Sequence, residues 1–161
     1  MSIRYLVMDV DGTLTDGKIY IGNSGELCKA FHVKDGAGIH DILIPAGCIP
    51  VIITSRQSAI VLNRCRELEI TEIHQGVKDK LTKLEEICGK NLGDVAYIGD
   101  DINDLPCMKK VTAAGGVIGC PADAVNEVKL SADYIAEHKG GEGAVRDFID
   151  WLVGMQKLIT D

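Results

Sequence analysis

The chain has 161 residues, of which 46% are hydrophobic, 25% charged and 4% aromatic, which sets the expectation of one domain over residues 1–161 with a mainly aliphatic core. A net charge of −7 argues against nucleic acid or an anionic membrane as partner, but leaves room for an anionic substrate met by local positive charge. Six cysteines (28, 48, 65, 88, 107 and 120) lie at wide, irregular intervals without a C-x-x-C pair, the usage of small core residues in a reducing compartment. The expectation is a cytoplasmic protein with no signal peptide and no membrane span.

In chain order, Leu6-Val7-Met8 is a short apolar run that stops at Asp9-Val10-Asp11-Gly12. Such a run bounded by a glycine turn predicts a buried strand. Two carboxylates at i, i+2 would share one face if the strand ran through both. Two β-type runs, 18–21 and 26–33, flank Gly22-Asn23-Ser24-Gly25 and predict a hairpin. A helix is expected from Asp35 to Ala46, with Ile39, Ile42 and Leu43 on one face and Gly47 as its cap. Ile49–Thr54 predicts a second buried strand, ending at Thr54-Ser55-Arg56. A helix at 58–68, a short strand at 72–74 and a helix at 78–88 follow. Val95–Gly99 predicts another strand that runs into Asp100-Asp101-Ile102-Asn103-Asp104. Helices are expected near 105–110, at 122–129 and at 143–153, with an edge strand at Tyr134-Ile135.

Strands alternating with helices predict βαβ units and an α/β fold with a mostly parallel sheet. Right-handed crossovers bring the strand C-terminal ends to one edge, where ligands bind. That edge collects Asp9, Asp11, Thr54 to Arg56, Asp100, Asp101 and Asp104. So many carboxylates cannot all stay ionised without compensation, and a hard divalent cation such as Mg²⁺ is the natural partner. With Thr54 and Lys80 as donors, the set describes a phosphoryl-transfer site in which an aspartate can be the nucleophile. Read singly, Lys80 is a solvated helix charge, Thr54 a helix cap, and Arg56 and Arg64 surface charge. The set makes the site.

D-x-D-G-T-L at 9–14, I-I-T-S at 52–55, Lys80 and G-D-D-x-x-D at 99–104 resemble the four motifs of haloacid dehalogenase (HAD) superfamily phosphatases. T-D-G-K-I-Y at 15–20, F-H-V-K-D-G at 31–36, H-Q-G-V-K-D-K at 74–80 and G-G-E-G-A-V-R at 140–146 resemble the 3-deoxy-D-manno-octulosonate 8-phosphate (KDO 8-phosphate) phosphatase family, over nearly the whole chain. The resemblance implies a Rossmann-like three-layer sandwich with a hairpin insertion at about 18–33, a tail at about 139–161 and no cap domain. It implies Asp9 as nucleophile, and Asp11 as the acid for the leaving alcohol and then the base for water. Asp9, Asp100 and the backbone carbonyl of Asp11 would hold Mg²⁺. Thr54, Ser55 and Lys80 would bind phosphate, with Asp101 and Asp104 orienting them. Arg56, Arg64, Lys78, Gly140, Gly141 and Arg146 are candidates for the rest of a phosphorylated acidic sugar. Ser55 departs from the family, which usually has glycine there. Glu142 departs from the basic or neutral residue of many octulosonate enzymes.

Two other functions stay open. Phosphatases for nine-carbon sialic-acid-type 9-phosphates resemble the chain too, including G-G-E-G in the tail, although they tend to carry an acidic residue where Arg56 stands. A non-catalytic scaffold domain of a sugar-nucleotide synthetase is the other, against which Asp9 and Asp11 speak. Only 44 residues, positions 10 to 53, separate Asp9 from Thr54, too few for a cap domain beside a hairpin, a helix and a strand. An uncapped site and apolar Ile19, Ile21, Phe31 and Val33 on the hairpin predict a homotetramer with sites shared between subunits. The capless relatives imply the same, with the hairpin and the Gly140–Arg146 stretch reaching a neighbour's site.

Overall fold

The computed structural model describes residues 2–158. Strands β1 (Tyr5–Met8), β4 (Ile49–Ile53), β5 (Glu72–His74), β6 (Val95–Ile98), β7 (Val117–Cys120) and β8 (Tyr134–Ile135) form one sheet in the order β5-β4-β1-β6-β7-β8. Every pairing in it is parallel. Strands β2 (Tyr20–Gly22) and β3 (Gly25–Cys28) form a separate antiparallel hairpin.

The alternation of strand side chains divides the core in two. Leu6, Met8, Ile52, Ala96 and Ile98 face one layer, where they meet Val61 and Cys65 of α2 (Ala59–Glu67) and Val145, Phe148, Ile149 and Leu152 of α6 (Ala144–Gly154). Val7, Val51, Ile53, Val95 and Tyr97 face the other layer. They pack there on Leu84 of α3 (Lys80–Cys88), Cys107, Met108 and Val111 of α4 (Leu105–Ala113) and Val128 of α5 (Asn126–Ser131). This is the expected three-layer α/β sandwich. The chain leaves central β1 for β4 on one side and later returns to β6 on the other, so β1 is the topological switch point, the position where such sheets bind ligands. Among the described residues no cap domain is inserted, and no helix is long and apolar enough to cross a membrane.

Several elements differ from the sequence expectation. Strand β7 was not foreseen: Val-Ile-Gly-Cys is short and holds a glycine, a poor strand signal. Gly119 is needed there because a Cβ would run into the Phe148 ring. The second hairpin arm stops at Cys28 instead of Val33, since His32 caps α1 (Val33–Ala37) by accepting the Lys34 N–H at Nδ1. Beyond α1 the chain widens into a π-helical segment, Gly38–Leu43, rather than continuing as α-helix to Ala46. The α5 helix starts four residues late, at Asn126, because the preceding turn is tied elsewhere: the Ala122 N–H donates to the His138 carbonyl and Asp123 Oδ1 accepts the Gly140 N–H.

Candidate active site

Asp9 directly follows central β1, and its N–H still donates to the Ile98 carbonyl of β6. The next turn doubles back at Gly12, whose φ of +88° suits glycine, and a Cβ there would collide with the Asp100 carboxylate. The turn therefore brings Thr13 within 3.0 Å of Asp100, hydroxyl to Oδ1. Thr54 follows β4 and is buried. Lys80 is the first residue of α3, whose N-cap is Asp79, so its side chain reaches back under the sheet edge. Its ammonium lies 3.0 Å from Asp9 Oδ1 and 2.9 Å from Asp104 Oδ1, and only 3% of its side chain is exposed.

Carboxylate oxygens of Asp9, Asp100 and Asp104 lie within 4.8 Å of one another, a grouping able to hold a metal ion. The three are not equivalent. Asp104 is fully buried and already saturated: Oδ1 accepts from Lys80 and from the Tyr97 hydroxyl at 2.7 Å, and Oδ2 accepts the N–H groups of Asp100 and Asp101 at 3.1 and 3.3 Å. It orders the others. Asp9 and Asp100 retain acceptor capacity. Burial first, then the Asp104 charge, pushes the Asp9 carboxyl up to about 6 despite Lys80. Burial and the charges of Asp9 and Asp104 push Asp100 up to about 8. Two facing carboxylates held this high have the oxygen-rich chemistry a hard cation satisfies, and Mg²⁺ fits them. Burial alone would lower the Lys80 ammonium, but its two carboxylate partners outweigh it and raise it.

A cavity of about 160 Å³ opens over this cluster, lined by Asp9, Asp11, Thr54, Ser55, Arg56, Asp101 and Asn103. The sequence reading thus finds Asp9, Asp11, Thr54, Ser55, Arg56, Asp100, Asp101, Asp104 and Lys80 gathered at one strand edge. Asp101 is exposed and caps the 3₁₀ turn Ile102–Asp104. The remaining candidates are not brought into the cavity. Arg64 lies over the Phe31 ring, pairs with Glu67 at 3.0 Å and lines a different, small apolar cavity with Val10, Leu14 and Asp35. Lys78 is exposed and outside the lining. Arg146 bonds Asp150 one turn along its own helix. Gly140 and Gly141 lie outside the cavity lining. They pack on the turn after Asp11 of the same chain: the Gly141 N–H donates to the Thr13 carbonyl at 3.2 Å, and a Cβ on Gly140 would strike the Gly12 carbonyl.

Thr13, Lys29, Tyr97 and Asn103 belong to the site and were not singled out. Thr13 had a signal, being inside the D-x-D-G-T run. Lys29 had none, since nothing local to a hairpin arm tells that its ammonium will meet Asp11 at 2.5 Å.

A carboxylate-rich edge at the switch point of a parallel sheet, with a buried lysine on the first acid and no cap among the described residues, defines a HAD-type hydrolase. No protein-family model matches the chain. Individual proteins do. The KDO 8-phosphate phosphatase of Escherichia coli K12 is 43% identical over 163 residues, spanning 99% of this chain and 84% of that protein. The crystal structure of the Yersinia pestis KDO 8-phosphate phosphatase superposes with a TM-score of 0.86 at 42% identity, over 97% of this chain and 84% of that one. The Moraxella catarrhalis enzyme, crystallised with magnesium, phosphate and KDO, gives 0.85 at 39% identity, over 94% and 86%. The chain belongs to the KDO 8-phosphate phosphatase family of the HAD superfamily.

Proposed function

We propose that this protein is a Mg²⁺-dependent phosphatase that hydrolyses KDO 8-phosphate to KDO and phosphate, a step of lipopolysaccharide biosynthesis, with Asp9 as nucleophile. The observation that carries the reading is the buried Asp9 carboxylate, held by Lys80 at 3.0 Å at the floor of an open polar cavity. The likeness to KDO 8-phosphate phosphatases over 99% of the chain supplies the substrate.

Lys80 fixes one Asp9 oxygen and leaves the other to attack phosphorus in line with the leaving C8 oxygen, forming an aspartyl phosphate. Thr54 and Ser55, at the end of β4, donate to the phosphoryl oxygens, and Lys80 adds positive charge to them. Asp11 gives its proton to the departing alcohol and then takes one from the water that opens the acyl phosphate. Mg²⁺, held by Asp9, Asp100 and the Asp11 backbone carbonyl, supplies further positive charge against the phosphoryl group. Asp104 holds Lys80 and the Asp100–Asp101 backbone, and Asp101 braces the turn before it. Arg56, exposed at the cavity rim, is the cation available to the sugar carboxylate. Arg64 and Lys78 remain open to a sugar bound across subunits.

We infer one domain over residues 1–161, cytoplasmic, assembled as a homotetramer. Ile19, Tyr20, Ile21 and Leu27 are all at least 40% exposed on the hairpin, an apolar ribbon that pairing with neighbouring subunits would bury. The deciding experiment is a side-by-side panel of sugar phosphates with and without Mg²⁺. KDO 8-phosphate should show the highest kcat/KM. Preference for a nine-carbon 9-phosphate would replace the substrate, and no Mg²⁺-dependent turnover of any ester would support a scaffold.

A further inference from the structure

The proposed chemistry leaves one buried cation unused. Lys29 follows β3 on a hairpin that leaves Ile21 and Leu27 exposed, yet only 3% of its own side chain is exposed. Its ammonium lies 2.5 Å from Asp11 Oδ1 and 3.0 Å from Glu26 Oε1. The second Glu26 oxygen accepts the Ser58 hydroxyl at 2.5 Å, and the Ser58 N–H donates to the Gln75 side chain at 2.8 Å. A continuous polar chain thus runs from the loop after β4, through the hairpin, to Asp11. An ammonium is buried only where anions and hydrogen bonds replace its water, and here two carboxylates do so. The Asp11 side chain is 19% exposed and lines the cavity beside Asp9 and Thr54. Among the described residues, no hydrogen bond is made to Asp11 Oδ2. One carboxylate oxygen is tied and the other is free.

We propose that Lys29 is the positioning residue of Asp11: the hairpin, latched to Ser58 through Glu26, uses it to hold Asp11 Oδ1 so that Oδ2 meets the leaving oxygen of the substrate. The proposal rests on Asp11 being the proton donor. A carboxyl free to rotate spends most of its time out of reach of that oxygen, and misplacement of a proton donor by about 1 Å can cost on the order of 10²-fold in rate. An exposed ion pair would contribute little. This one is buried and sits against a reacting group.

The test uses leaving groups. An alkyl phosphate needs its departing alkoxide protonated, whereas p-nitrophenyl phosphate releases a stable phenolate and needs little help. kcat/KM isolates the steps through phosphoryl transfer to Asp9. Lys29→Met should lower kcat/KM about 30-fold for the best sugar phosphate and less than about threefold for p-nitrophenyl phosphate, a part of the roughly 10²–10⁴-fold that acid catalysis typically contributes. Lys29→Arg should recover most of the loss. Asp11→Asn should show the same selectivity, more strongly. Equal losses on both substrates in Lys29→Met, or no loss, overturn the positioning role. If Asp11→Asn is itself unselective, the reading of Asp11 fails and the proposal with it. If Asp11→Asn is selective and Lys29→Met is not, only the proposal fails. Should Lys29→Met not fold, Glu26→Gln, which weakens the latch but keeps the hydrogen bond to Ser58, must show the selectivity or the proposal falls.

Discussion

Asp104→Asn is the sharpest test of how the site is held together. The substitution is nearly isosteric and removes a buried charge, so a simple view would call it mild. The geometry says otherwise. Oδ1 accepts two donors, Lys80 Nζ and the Tyr97 hydroxyl, and Oδ2 accepts two more, the N–H groups of Asp100 and Asp101. An amide nitrogen accepts nothing. Whichever way the side chain turns, its NH₂ faces two donors that lose their acceptor. Turned toward Lys80 and Tyr97 the amide strands two buried donors, and turned toward Asp100 and Asp101 it strands two part-buried N–H groups; at about 1–3 kcal/mol for each stranded donor, the pair costs about 4 kcal/mol. At about 2–4 °C per kcal/mol for a domain of this size, Tm should fall by about 8–16 °C. Losing one negative charge also relieves Asp9 and Asp100, an offset that a bound cation removes, so the melts are compared in saturating Mg²⁺. Tyr97→Phe is the control. It deletes one donor and leaves Oδ1 with Lys80, so it should cost about 1 kcal/mol, or 2–4 °C. An Asp104→Asn melt within about 3 °C of the parent, followed by calorimetry, would refute the saturated-hub reading and return Asp104 to the pool of metal ligands.

Asp9→Asn should abolish turnover in Mg²⁺ while keeping the parent circular dichroism, because an amide cannot form the acyl phosphate; residual activity above a trace would move the nucleophile elsewhere. Mg²⁺ should stabilise the protein more as pH rises. The Asp9 and Asp100 carboxyls sit above their ordinary value, at about 6 and about 8. The metal-free fold therefore favours their protonated forms, and the stability they contribute is complete below about pH 4 and lost as pH rises through 6 and 8. Mg²⁺ competes with those protons, so the Tm difference between Mg²⁺ and EDTA should grow from pH 5 to pH 8, and a flat difference would exclude the pair as ligands. Gly12→Ala combines a left-handed φ with a Cβ against Asp100; it should cost about 1–2 kcal/mol in stability and weaken Mg²⁺ binding by at least about tenfold in titration calorimetry. Light scattering should give a tetrameric mass, and Ile21→Asp should reduce it; a monomeric mass in an active sample would end the shared-site reading.

How far the sequence carries can be traced to particular residues. Asp9, Thr54 and Asp100 were legible because each follows an apolar run that could only be a buried strand, and strand ends of a parallel sheet share an edge. Lys80 was legible only as part of a spacing pattern, since a helix-start lysine has no local mark of burial. Strand β7 was hidden because its glycine is dictated by Phe148, nearly thirty residues later, and local propensity records no such demand. The same holds for Gly140, whose missing side chain is required by the Gly12 carbonyl.

The π-helical segment and Lys29 mark the limit from the other side. Periodicity placed Ile39 and Leu43 correctly in the core, yet the turn widens between them, just after Gly36 and Gly38, which leave room for the Arg64 and Arg146 side chains. A hydrophobic pattern reports which side chains are buried, not how many residues the backbone uses per turn to bury them. Lys29 fails differently. It lies on the hairpin, whose own pairing needs no charge at that position, and its meaning comes from Asp11, eighteen residues earlier, and from Ser58 through Glu26. A buried ion pair between segments distant in sequence has no one-dimensional signature, because each partner alone is an ordinary surface charge. Such pairs are therefore where a structure adds most to a family resemblance. The resemblance points to candidate residues by their spacing, and the packing shows what holds them in place.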